Sequence, residues 1–385
     1  MMTPTGTRPA CGRVPWGLIG MLGLMVMVEL FVGRNGLSFM DSAELDWMSS
    51  GRAARRKADR FDILAFGDSM LKFGIAPRVL EAKLGRKVYN LALLDGKPSI
   101  TYILFRRAIE AGARPSAVLI DHSPEGLNQP PWHLLTNPHW NALLLSPREA
   151  WELARAFHDL EFFGHLVVAR VLPSFRCRGQ IRTDVLAALR GQGGPNPEKN
   201  LPMRRNWQVN RGGILLPKQP GFRGDVPPGF AGDLFNDHCV VQPENVHFVR
   251  RMLRLAAENQ VPVYWLLPPN APKVMAHRDG NGVNANLDRF VRGLQTQFPN
   301  LSVIDARHAG YQNTVFVDPV HLDRDGAVAL SADVAEVLRR SLIHSEPVAR
   351  WVELPAYRDR PIALALEDVN QSRERLKLRQ GGRRR

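Results

Sequence analysis

Ser69, Asp318 and His321 are the residues of this 385-residue chain whose types and placement can do chemistry. A serine hydroxyl is a weak nucleophile, so it needs a base within hydrogen-bond reach, and a carboxylate best orients that base. Ser69 ends the stretch 61–69, FDILAFGDS, in which an apolar run stops abruptly at Gly67 and Asp68. Such a stretch reads as a buried strand that delivers a hydroxyl to the edge of a sheet. Asp318 and His321 stand three residues apart just ahead of the last predicted helix. At that spacing the carboxylate can hold one ring nitrogen while the other faces Ser69. The chemistry implied is attack on an acyl carbon through a covalent intermediate. GDS and D-x-x-H each occur by chance, but at opposite ends of an alternating βα chain they reinforce one another.

The elements that must position these residues follow from apolar periodicity. Strands are predicted at 63–66, 87–91, 117–120, 262–267 and 301–304, and helices at 77–84, 99–111, 243–260, 286–298 and 324–342. Pro77 and Gly85 bracket the first of those helices. The alternation predicts an α/β fold with a parallel sheet, helices on both faces and ligands at the carboxyl edge. Residues 124–241 break the rhythm and read as a large insertion after the third strand, with one amphipathic helix at 147–168 and no regular element across 191–230. Trp132, Trp140, Trp151 and Trp207 within it either pack it onto the domain or line a groove for a sugar or acyl chain. His238, Cys239 and His247 match no metal-ligand spacing, and the glycines at 191–194 follow a helix where a phosphate loop follows a strand. No metal and no cofactor is expected.

A hydrophobic content of 44% supplies a real core. The net charge of +14 is spread over both termini and the middle without any nucleic-acid-binding signature, so an anionic membrane or polymer surface is the expected partner of that charge. Cys177 and Cys239 are either a disulfide pair or two free thiols. Residues 16–33 form an apolar run broken only by Glu29 and preceded by Arg8 and Arg13, the layout of an uncleaved signal anchor. Asp41, Glu44 and Asp46 outnumber Arg34 after it, which predicts a cytoplasmic tail at 1–15, a single pass, and an extracytoplasmic remainder. The stretch 34–60, ending in Arg52, Arg55, Arg56 and Lys57, reads as a linker or stalk helix. The basic tail 343–385 reads as disordered or surface-attached.

On these residues the chain resembles the SGNH, or GDSL-type, hydrolase superfamily over roughly 61–342. That resemblance implies a flavodoxin-like three-layer α/β/α domain. Gly67-Asp68-Ser69 is similar to the family's first block, implying Ser69 as nucleophile and, through its backbone N–H, first oxyanion donor. Asn90-Leu91-Ala92 with Gly96 resembles the second block, implying Gly96 N–H as second donor. Asp318-Pro319-Val320-His321 resembles the last, implying His321 as base and Asp318 as its orienting partner, and 261–269 looks like the family's strand and Pro-Pro turn. The third block departs from the pattern. Where the family has Gly-x-Asn-Asp, this chain has Asp121-His122-Ser123-Pro124, without the asparagine donor. His122 and Ser123 are the candidate substitutes, and capping of the strand end is the competing role for both. The departure, the anchor and the insertion together resemble the branch that O-acetylates extracytoplasmic polysaccharides, similar to alginate-acetylation and teichoic-acid D-alanylation proteins. The expectation is an anchored serine esterase or acyltransferase acting on an ester, such as an O-acetyl group of a glycan, with a multi-spanning acyltransferase as possible partner. The alternatives are an accessory subunit and a catalytically inactive binding or scaffold protein.

Overall fold

The computed structural model describes residues 16–130, 138–192, 198–235, 240–344, 346, 349–360 and 363–381. Six short strands, β1 (Ile63–Phe66), β2 (Val88–Asn90), β3 (Ala117–Ile120), β4 (Val263–Leu267), β5 (Leu301–Asp305) and β6 (Trp351–Glu353), form one sheet. All pairings are parallel and the order is β2-β1-β3-β4-β5-β6. Strands β1 to β4 are apolar at nearly every position because both faces of a parallel sheet are covered. Leu64, Phe66, Val118, Ile120, Val263 and Trp265 enter one core, and Ile63, Ala65, Ala117, Leu119, Tyr264 and Leu266 enter the other.

The helices needed below are α1 (Trp16–Arg34), α2 (Ser42–Arg56), α3 (Ser69–Gly74), α4 (Pro77–Leu84) and α5 (Pro98–Glu110). Helix α5 packs on Pro243–Glu258 in the first layer, and α4 packs on Arg324–Leu342 in the second. The chain leaves β1 to one side for β2 and returns on the other for β3, so a crevice opens at the carboxyl ends of β1 and β3. Ser69 begins α3 at that point.

Three expectations are corrected. The stretch 34–60 is no linker, because α2 is packed into the domain, with Trp47 and Ala54 fully buried. Its acids made it look solvated, yet Glu44 lies 3.2 Å from Arg176, and Asp46 lies 2.8 Å from Lys72, both members of the latter pair being buried. The tail is not disordered across its described part. Trp351 and Val352 supply the sixth strand, Arg292 stacks on Trp351 at 4.1 Å, and Val369–Gly381 packs on Leu201–Val209. The run 191–230 contains that same helix, Leu201–Val209, whose Trp207 packs edge-on against Tyr89.

Between β3 and β4 the described chain carries helices and no strand, with 210–227 irregular. The amphipathic stretch at 147–168 is two helices, Pro147–Ala156 and Leu160–Val171. A capping box of Ser146 and Glu149 starts the first. His158, at φ 54°, breaks the run, and Asp159 caps the second by accepting from Phe162 N–H. Trp140 packs on Trp47 and Trp151 on Phe163, while Trp132, His238 and Cys239 lie outside the described residues. Cys177 is a buried free thiol.

Burial pulls the Lys72 pKa down, and the Asp46 carboxylate opposes that shift. Removing one partner of a buried pair strands the other charge. Asp46→Ala is therefore expected to destabilise the protein by about 3–5 kcal/mol in urea unfolding, and Lys72→Met added to it to recover much of that loss.

Candidate active site

The turn after β1 is built by steric exclusion and by two carboxylates. A Cβ on Gly67 would lie 1.7 Å from Asp121 Oδ1, so only glycine fits there. Asp68 N–H donates to that same oxygen at 2.9 Å. The Asp68 carboxylate then accepts from Met70 N–H at 2.9 Å, capping α3, and from Ser123 N–H at 3.0 Å. Ser69 is thereby fixed as the first residue of a helix, where its own N–H has no intrahelical acceptor. Asp121 is fully buried, and burial first, then the neighbouring Asp68 charge, raises its pKa well above the usual carboxylate range.

The three residues of the expected relay meet. Ser69 Oγ lies 2.7 Å from His321 Nε2, across 252 positions of sequence. His321 Nδ1 lies 2.7 Å from Asp318 Oδ2, while Asp318 Oδ1 accepts the Val320 and His321 N–H groups, each at 2.9 Å. With Nδ1–H donated to Asp318, Nε2 is left to accept the Ser69 hydroxyl. Burial pushes the Asp318 pKa up, but the imidazole and the two amides outweigh it and hold the carboxyl below its ordinary value. Phe73, one turn along α3 from Ser69, packs edge-on against the His321 ring at 4.9 Å. The helix that begins at Ser69 thus also positions the His321 ring.

The oxyanion side is built differently from the expectation. Gly96 is seated against the Gly67 turn, where a Cβ would lie 2.2 Å from Gly67 O, which accounts for glycine at this position. Its N–H, however, donates to Leu93 O at 3.1 Å and closes a turn. His122 is buried edge-on against Trp265, with Nδ1 unpartnered, and burial pulls its pKa down to about 4. It is not among the residues that line the cleft around Ser69. Ser123 does line that cleft, but its N–H is held by Asp68 and its Oγ accepts from Gly126 N–H at 3.1 Å, capping Pro124–Asn128.

Lys97 is the cleft residue that sequence reasoning passed over. It is 6% exposed, pairs with Asp95 at 2.6 Å and donates to Gln129 Oε1. Its signal was its position directly after Gly96 and before Pro98, at the mouth of a predicted helix. Lys97, Gly96, Ser69 and His321 share a cleft of about 160 Å³, rimmed by Phe230 and Leu234 from Pro228–Leu234. Among the described residues, no group of three or more His, Cys, Asp or Glu side chains is arranged to hold a metal ion.

Burial penalises the charged form of Asp121, so Asp121→Asn, which keeps an acceptor for Asp68 N–H without a charge to bury, is expected to be more stable than the parent protein at neutral pH. Asp121→Ala leaves that amide buried and unpaired, at a cost of about 1–3 kcal/mol. A folded pKa raised above the unfolded value of about 3.9 contributes stability that is fully present below that value and is lost as pH climbs through the folded value. Urea midpoints measured against pH are expected to be flatter over that interval in Asp121→Asn than in the parent protein.

Comparison with models of known protein families finds none that matches this chain, and comparison with curated proteins finds no match either.

Proposed function

We propose that this protein is a membrane-anchored, extracytoplasmic serine esterase or acyl-transfer enzyme of SGNH type. The observation that carries the reading is the relay in which Asp318, His321 and Ser69 are linked by two 2.7 Å contacts. The fold agrees with it, since β1 to β5 follow the 2-1-3-4-5 order of flavodoxin-like sheets and Ser69 stands at the switch point. The anchor reading is supported by α1, which among the described residues is the one helix long and apolar enough to cross a bilayer.

On this mechanism Ser69 Oγ attacks the ester carbonyl while its proton passes to His321 Nε2. Asp318 stays ionised and stabilises the imidazolium. The tetrahedral oxyanion is met by Ser69 N–H and by the positive charge of Lys97, which takes over from the absent third-block asparagine. His321 returns the proton to the departing alcohol, leaving an acyl group on Ser69. Water or a glycan hydroxyl, deprotonated by His321, then attacks that acyl carbon and releases the enzyme. The cleft is smaller than the roughly 300–1,000 Å³ of most ligand pockets, which suits a short acyl group such as acetyl.

A second reading, a catalytically inactive SGNH-like binding or scaffold protein, is favoured by one observation, the commitment of Gly96 N–H to Leu93 O. A fluorophosphonate probe separates the two. The active enzyme is labelled at Ser69, Ser69→Ala is not labelled, and His321→Ala slows labelling by about three orders of magnitude or more. Folded protein that resists the probe overturns the enzymatic reading. With an aryl acetate as substrate, Lys97→Met is expected to lower kcat by about 10²–10³ with little change in KM, and Lys97→Arg to restore part of the rate. Adding a polysaccharide acceptor distinguishes acetyl transfer from simple hydrolysis.

A further inference from the structure

The end of α1 and the domain enclose a cavity of about 490 Å³ that lies apart from the Ser69 cleft, with no lining residue in common. Five cationic side chains line it: Arg34 from α1, Arg52 and Arg56 from α2, Lys57 just beyond, and Arg204 from Leu201–Val209. No carboxylate lines it, and among the described residues none of the five is ion-paired. Neighbouring arginines outside the cavity have carboxylate partners, Arg205 with Glu367 and Arg211 with Glu81. The acids of α2 itself are consumed by Arg176 and Lys72. Cations concentrated in a concavity repel one another and focus a positive field, which a bound anion relieves.

The cavity's level is set by α1. Arg34 ends the apolar helix, and Glu29 fixes that helix to the domain by accepting from Ser174 N–H at 2.9 Å and from the Ser174 hydroxyl. Beside this latch, the exposed apolar side chains of Val185 and Leu186 share a groove with Val28 and Phe31 of α1. Lipid headgroups therefore meet the chain where the cavity opens. Guanidinium groups match phosphate oxygens in pairs, and the apolar floor of Met40, Leu45 and Met48 suits the glycerol and first methylenes of a lipid.

Resting on the membrane-anchor reading, we propose that this cavity binds a phosphate group, supplied either by an anionic lipid headgroup or by a soluble phosphate ester. The test uses the full chain in a neutral detergent, offered equal phosphatidylglycerol and phosphatidylcholine, with retained lipid read by native mass spectrometry. Phosphatidylglycerol is expected to be preferred by about tenfold or more, the preference falling with added salt. Arg52→Gln with Arg56→Gln abolishes the preference, while the charge-matched pair Arg250→Gln with Arg254→Gln, outside the cavity, retains it. Displacement of the lipid by millimolar glycerol 3-phosphate supports a soluble source, and failure to displace supports a lipid source. Equal retention of the two lipids, or an equal loss in both double variants, overturns the proposal. Carbonate extraction of native membranes tests the anchor separately, so its failure and that of the site are distinguishable.

Discussion

A buried charge pair underlies the placement of Ser69. Lys72 sits one turn after Ser69 in α3 and is fully buried, as is Asp46 of α2, 2.8 Å away. Its ammonium also donates to Gly212 O at 3.0 Å and to Ser50 Oγ at 3.3 Å. Withdrawing two ions from water costs several kcal/mol each, and an apolar pair of the same volume would often be more stable. The pair does something an apolar contact does poorly, which is to hold three segments in one register. Asp46 Oδ2 takes Leu94 N–H at 3.0 Å, and the Trp47 ring N–H gives to Leu94 O at 2.7 Å. The loop bearing Gly96 and Lys97 hangs on the same helix that fixes Ser69.

The second constraint is the close approach of backbones at the switch point. Gly67 and Gly96 touch without side chains between them, and the Asp121 carboxyl occupies the space a Gly67 Cβ would fill. The hydrogen bonds among Asp68, Asp121 and Ser123 leave the Ser69 turn little freedom. Opposite it, the turn of Asp318 to His321 is closed by Val317 N–H donating to His321 O and is followed by Asp323, which caps the helix Arg324–Leu342. On the proposed function two stiff turns facing one another are what the relay needs, because a misplacement of about 1 Å can cost two orders of magnitude in rate.

What was legible in the sequence is what short-range pattern encodes. Strands β1 to β5 could be placed because burial on both faces forces unbroken apolar runs, and Asp318 with His321 could be paired because three residues of a turn set their separation. What was not legible depends on distant partners. Asp46 and Glu44 look like solvent-seeking charges until Lys72 and Arg176 are brought to them, so α2 passed for a linker. β6 is three residues long in a basic tail, and its pairing with β5 is invisible until Arg350 is seen donating to Gln295 O, Phe298 O and Leu301 O. For Gly96 the residue type was readable and the direction of its N–H was not, since backbone direction in a turn follows from the whole loop.

The packing of α2 also bears on how far the chemistry can reach. A flexible linker of the length expected for 34–60 would have let the domain roam relative to α1. Instead, α2 presents Arg52 and Arg56 to the cavity beside α1 and Asp46 to the α3 helix. Asp46 and Arg56 are ten residues apart in one helix, about 15 Å along its axis. With α1 latched through Glu29 and Ser174, α1 and Ser69 are joined by rigid elements rather than by a tether. On the proposed function, Ser69 then works at a fixed height. An ester carried on a polymer can be drawn past such a cleft one unit after another, whereas an ester buried among the lipid tails lies below its reach.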